Sequence, residues 1–144
     1  DCSNTTQLEK LVKTIVWDDG LSVEVDEIDE DHRRLVDLFN LLSNAVEEGE
    51  SVEYIDALLE ELISCTAWHF RHEERLMLKY QYDAFEDHKA EHNDLIDSAR
   101  DLQKKFQRDS RQLHGEDIEY LSQWLTEHIV GNDMKLGFYL MNEM

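Results

Sequence analysis

Between residues 29 and 136, apolar side chains recur at spacings of three and four in four successive stretches, and the 144-residue chain contains no proline. That period belongs to an amphipathic α-helix. With only five glycines there is little material for the tight turns of a β fold. The first stretch spans about 29–48, with the stripe His32, Leu35, Val36, Phe39, Leu42 and Val46, and ends at Gly49. The second spans about 52–80 behind Ser51, a capping residue, with the stripe Ile55, Leu58, Leu59, Leu62, Thr66, His69, Glu73, Leu76 and Met77. The third starts after Asp83, with Glu86 completing a capping box, and carries Phe85, His88, His92, Leu95, Ala99, Leu102 and Phe106. RDSRQLHG reads as a loop. The fourth stretch spans about 116–136, with Ile118, Leu121, Leu125, His128 and Ile129 inward. Four such helices on short connections predict an all-α fold, an antiparallel up-down-up-down four-helix bundle. Residues 1–28 read as an extended N-terminal arm anchored by Trp17, residues 29–136 as the bundle, and residues 137–144 as a short tail.

Fourteen basic residues against 34 acidic ones give a net charge of −20. Such a surface repels nucleic acid and anionic membranes, so neither is expected as a partner. No apolar run of about 18 residues exists to span a bilayer, and no signal peptide is visible, so a cytoplasmic location is expected. The start at Asp1 suggests a domain cut from a longer protein or a processed product. Cys2 lies in a polar segment, and Cys65 on a helical stripe reads as a small buried hydrophobe. The acidic run DEIDED at 26–31 lacks the glycine and spacing of a calcium loop and reads as a solvated helix start whose acids favour the dipole.

Five of the seven histidines fall on inward stripes: His32, His69, His88, His92 and His128. His72 is rotated off that line and is expected to face solvent; His114 lies in the loop. The pair in HKAEH, 88–92, sits about 40° apart on a helix and can grip one ion. With seven histidines in the chain one such pair arises by chance about one time in three, so it is weak alone. The joint pattern is stronger. Four helices each turn ligand-type residues inward, and burying imidazoles and the Glu73 carboxylate among apolar side chains is costly without a partner. No Lys or Arg shares these stripes, whereas a metal cluster would satisfy them all. One carboxylate leaves such a site short of negative charge. In HIVGND, 128–133, Asn132 is aligned with His128, while Asp133 stands about 140° away on an ideal helix. A π-type turn would bring Asp133 inward, and Gly131 would ease it.

Together, His32, H69-xxx-E73, H88-xxx-H92 and H128-xxxx-D133 resemble the seven-ligand signature of the hemerythrin family. The local contexts IDEDH, HFRHEE, HKAEH and HIVGND fit it too, and Trp17 resembles the arm of the bacterial members. The resemblance covers nearly the whole chain. It departs at Asp31, where bacterial members often carry Gln, a change that could alter hydrogen bonding around a metal, and in the tail FYLMNEM. It implies two iron ions with an oxo or hydroxo bridge: Glu73 and Asp133 bridging, His88, His92 and His128 completing one iron, and His32 and His69 holding the other with a position left open. It also implies that dioxygen is the partner, bound reversibly with no substrate turned over. Phe70 and Leu125 are placed to wall the oxygen pocket. Cys65 is then not needed as a ligand, and Met77 reads as core filler.

The five-histidine, two-carboxylate set differs from the carboxylate-rich Glu-x-x-His sets of ferritin-like oxidases. An oxygen-binding protein is therefore expected, as a carrier or store or as the sensing domain of a larger chemotaxis or signalling protein. The competing class is a di-iron redox enzyme that reduces peroxide or nitric oxide or oxidises ferrous iron. A zinc-filled structural bundle is a third.

Overall fold

The computed structural model describes residues 14–108 and 112–144. After a short 3₁₀ turn at Asp19–Leu21, helices α1 (Asp26–Glu48), α2 (Val52–Lys79), α3 (Phe85–Arg108) and α4 (Gly115–His128) follow. A π-helical segment, Ile129–Asp133, leads directly into α5 (Met134–Glu143). α1 packs on α2 and α4, and α3 packs on the same two, which is the cyclic order of a four-helix bundle. Among the described residues, no helix is long and apolar enough to cross a membrane.

The helix ends have local causes. Ser51 Oγ accepts the Tyr54 N–H at 3.2 Å and starts α2. Gly49, at φ 69°, closes α1 in the left-handed conformation, and its neighbour Glu50 donates its N–H to the Ala45 carbonyl at 3.0 Å. Asp117 reaches back to the His114 N–H at 2.9 Å at the start of α4.

Two boundaries differ from the sequence expectation. α1 begins at Asp26, three residues earlier, because Asp29 is not a solvated acid of the first turn. It is buried, and its carboxylate accepts from Val23 N–H at 2.8 Å and Ser22 Oγ at 2.6 Å, folding the arm onto the helix. The expected tail at 137–144 is helical to Glu143, with Leu136 and Leu140 fully buried. The remaining part of the arm, residues 14–25, is anchored twice. Trp17 packs on the core with the Arg33 guanidinium 4.9 Å from its ring centre. Ile15 exchanges two hydrogen bonds with the Asn40 side chain, at 2.8 and 2.9 Å. Residues 1–13, and Cys2 with them, lie outside the described residues. Cys65 is half-buried against the core with a free thiol.

The core falls into two apolar clusters. The larger holds Leu35, Phe39, Leu59, Leu62, Leu121 and Leu125 among others. The smaller joins Val23, Val25, Ile28, Leu76, Met77, Leu136 and Leu140. Along every long helix the inward histidines lie between residues of these two clusters. The polar side chains thus form one layer across the bundle, sealed on both sides.

Candidate metal centre

Each long helix contributes to that layer at the positions its apolar period selects. His32 comes from α1, His69 and Glu73 from α2, His88 and His92 from α3, and His128 from the end of α4. Asp133 closes the π-helical segment, whose extra residue per turn rotates it onto the His128 side. The π turn that the charge argument required is present, and Asp133 is completely buried. Gly131 is not demanded by space there, since a Cβ at that position would meet nothing within 4 Å. All seven side chains are 5% exposed or less.

The two carboxylates divide the donors into two groups. Glu73 Oε1 lies 2.9 Å from His92 Nε2 and 3.4 Å from His88 Nε2. Asp133 Oδ1 lies 2.9 Å from His88 Nε2 and 3.0 Å from His128 Nε2. On the other side, Glu73 Oε2 lies 3.0 Å from His69 Nε2, and Asp133 Oδ2 lies 2.7 Å from His32 Nε2. One group is therefore Glu73, Asp133, His88, His92 and His128; the other is Glu73, Asp133, His32 and His69. Metal–ligand bonds of about 2.1 Å at right angles place neighbouring donors about 3 Å apart, the spacing found here.

Two further observations bear on whether a metal fits. His69 Nε2 and Glu73 Oε2 are 3.0 Å apart, yet neither makes a hydrogen bond, and His128 Nε2 is likewise unpartnered. Buried polar atoms are rarely left so, and cations held among them would satisfy all three. Three imidazoles are also gripped from behind, each by a carboxylate from another helix. His69 Nδ1 donates to Asp31 at 2.8 Å, His92 Nδ1 to Glu74 at 2.9 Å, and His128 Nδ1 to Glu91 at 2.6 Å. Such partners fix ring orientation and raise ligand basicity. The other Glu91 oxygen accepts from the Asn132 side chain, tying α3 to the π segment.

Burial by itself would depress the imidazoles and raise the carboxyls; pairing outweighs it in both. Glu73, against His69, His128 and His32, is held well below the usual carboxylate range, as is Asp133. His69 and His128 are held well above the usual imidazole range, and His88 is raised to about 9. In the iron-free protein, protons thus stand where cations would.

A pH dependence follows. A raised imidazole contributes fully below its unfolded value of 6.5 and loses that contribution as pH climbs through its folded value, about 9 for His88. A depressed carboxyl contributes above its unfolded value, 4.5 for Glu73 and 3.8 for Asp133, and loses that contribution as pH falls through the folded value. Iron-free protein should therefore be most stable between pH 4.5 and 6.5, the two unfolded values. Its Tm, followed by circular dichroism, should fall from pH 6.5 toward 9. Iron-loaded protein, which requires neutral imidazoles, should not show that fall. An iron-free Tm that rises over this interval would contradict the pairing.

Phe70 and Leu125, expected beside the site, line a cavity of about 10 Å³ together with His32, Leu35, Thr66, His69, Leu95, Trp124 and His128. Phe70 is clamped: its ring stacks on His92 at 3.8 Å and 4°, with the edge of His128 5.0 Å away. His72 departs from expectation. It is largely shielded, donating to Asp31 at 2.7 Å with its far nitrogen 3.3 Å from Glu27. The carboxylates Glu74 and Glu91 were not anticipated. Their only sequence signal is adjacency to a ligand-type residue, in HEE and EH, and among 34 acids that signal is faint.

Residues 23–137 match the family model described as Hemerythrin HHE cation binding domain. A bacteriohemerythrin of Methylococcus capsulatus is 34% identical over 109 residues, 76% of this chain and 82% of that protein. The bacteriohemerythrin of Pseudomonas paraeruginosa is 34% identical over 124 residues, 83% of this chain and 76% of that protein. A myohemerythrin of Riftia pachyptila is 29% identical over 120 residues, 83% of this chain and 88% of its own. Among solved structures, wild-type hemerythrin superposes with a TM-score of 0.81 at 30% identity, covering 89% of this chain and 98% of its own. The π turn, the two donor groups and these matches converge, and the chain belongs to the hemerythrin family.

Proposed function

We propose that this chain binds dioxygen reversibly at a pair of iron ions, held in the core by His32, His69, Glu73, His88, His92, His128 and Asp133. The observation that carries this reading is the pair of donor groups, five and four strong, that share both carboxylates and border one small inner cavity. Imidazoles with bridging carboxylates suit iron. Ferrous iron held by these residues would supply the electrons that reversible binding of dioxygen requires.

The residues of this chain do the rest. His88, His92 and His128 with both carboxylates would hold one ion with five protein donors, and His32 and His69 with the same carboxylates would hold the other with four, so the side with fewer donors is the one that would take the gas. His32 and His69 also line the cavity. At about 10 Å³ it lies at the lower limit of what holds one small molecule, so it leaves no room for water beside a bound gas. Apart from the histidines, its polar wall groups are turned away: Thr66 donates to the Leu62 carbonyl at 2.6 Å and the Trp124 indole to the Leu95 carbonyl at 2.9 Å. Leu35, Phe70 and Leu125 keep water from the bound gas. With no wall hydroxyl or indole N–H free to protonate it, binding and release are favoured over turnover. Carriage and sensing would both use this step, and a sensor would be linked to a signalling domain. A cytoplasmic location, expected from the sequence, belongs to the same proposal. The test is an oxygenation cycle on iron-loaded protein, in which colour must come and go with the gas.

A further inference from the structure

We propose that dioxygen reaches the inner cavity through one surface groove, between α1 and α2, with the Leu35 side chain as the gate. This rests on the reading that the cavity receives dioxygen. Eight of its nine wall residues are buried. Two surface grooves reach the wall; the ninth residue, Leu95, is partly exposed but lines neither of them, so gas arriving by a groove enters only when a side chain moves. The first, about 650 Å³, runs between α1 and α2 past Glu27, Asp31, Cys65 and the exposed Trp68, and it ends on Leu35 and His69. Both of those residues also line the inner cavity. The partition there is one side chain thick. The second groove, about 420 Å³, lies between α2 and α3 and meets the cavity wall at Phe70.

The three partition residues differ in how firmly they are held. His69 is held by its Nδ1 bond to Asp31 at 2.8 Å. Phe70 is held between His92 and His128, and rotating it would break the parallel stack. Leu35 has no directional bond. Dispersion alone holds it, and an aliphatic side chain hops between staggered rotamers far more readily than a stacked ring unstacks. The low barrier is therefore at Leu35. A gate alters how fast gas enters and leaves but not how tightly it is held, since both directions cross the same barrier.

Cys65 supplies a reversible plug, because its half-buried free thiol lines the same groove. The experiment uses the full chain with Cys2→Ser, iron-loaded, with Cys65 capped by a benzyl methanethiosulfonate and the cap confirmed by mass. Dioxygen association and dissociation rates should both fall about tenfold. The affinity and the visible spectrum should stay unchanged, and a phosphine that removes the cap should restore the rates. In a second variant, Leu35→Ala, both rates should rise severalfold. Ile96→Trp, which fills the other groove, should leave them unchanged. In iron-free protein, quenching by dioxygen of the long-lived phosphorescence of Trp124, which is 6% exposed and lines the cavity, should follow the same order. Unchanged rates and quenching in the capped protein, or slowing by Ile96→Trp instead, would overturn the gate. Failure of the iron-loaded protein to bind dioxygen at all would overturn the functional reading, while the quenching series would still decide the gate.

Discussion

Glu73→Ala will abolish binding of paired iron. Like Asp133, Glu73 turns one oxygen to each donor group, and it alone of the two also meets His92: Oε1 faces His88, His92 and His128, and Oε2 faces His32 and His69. Removing it takes a donor from both groups at once and leaves Asp133 alone to offset two doubly charged cations in a layer sealed from water. Apolar clusters on either side offer no substitute. Iron content after anaerobic loading and desalting should fall from two per chain to one or none, with helical content retained because the surrounding packing is untouched. Two irons per chain with an undisturbed spectrum would show that the ligand set is wrong. The contrast with an outer carboxylate is informative. Glu74 and Glu91 hold imidazoles from behind, and losing such a partner costs about 10–100-fold in metal affinity but does not remove a ligand.

Gly137→Ala will be the most damaging of the five glycine-to-alanine changes. A Cβ at Gly137 would lie 2.3 Å from the Val23 carbonyl oxygen and 2.7 Å from Val23 Cβ. The obstacle is backbone, and it cannot swing aside. It is also pinned, because the Val23 N–H is held by buried Asp29. The added methyl must push α5 away from the arm and open the smaller core cluster around Leu136 and Leu140. Overpacking of this kind costs about 3 kcal/mol, or roughly 10 °C in Tm for a domain of this size. The helix preference of alanine, worth about 1 kcal/mol over glycine, recovers only part of it. Gly131→Ala is the control, since its Cβ meets nothing. Equal melting temperatures for the two variants would contradict the close packing of α5 on the arm.

The same glycine explains where reading the sequence fell short. The sequence pattern ends the fourth helix at about Leu136, just before Gly137, and leaves 137–144 as a tail. The helix continues because the arm packs where a side chain would stand, a contact made across the fold that no local pattern encodes. The histidine stripes were legible because the helical period turns a list of positions into a face, and a face with five imidazoles and a carboxylate demands a common partner. Asp133 was legible only through that demand. Local geometry favoured Asn132, and the π turn rotates Asn132 onto Glu91 while bringing Asp133 inward. His72 was read as solvated from its helical angle alone, but Asp31 on the neighbouring helix draws it in. The outer carboxylates were hidden by abundance: in a chain with 34 acids, no spacing separates Glu74 or Glu91 from a solvated neighbour.

The most direct measurement is the visible absorption of iron-loaded protein carried through one cycle: reduction without air, addition of oxygen, and purging with inert gas. Colour that develops with oxygen and fades on purging, over repeated cycles, is the result expected if iron held by these two donor groups meets the gas in the small cavity beside them. Colour that develops and persists would contradict reversible binding and point to oxidation of the centre. No colour at any stage would contradict the paired-iron site itself.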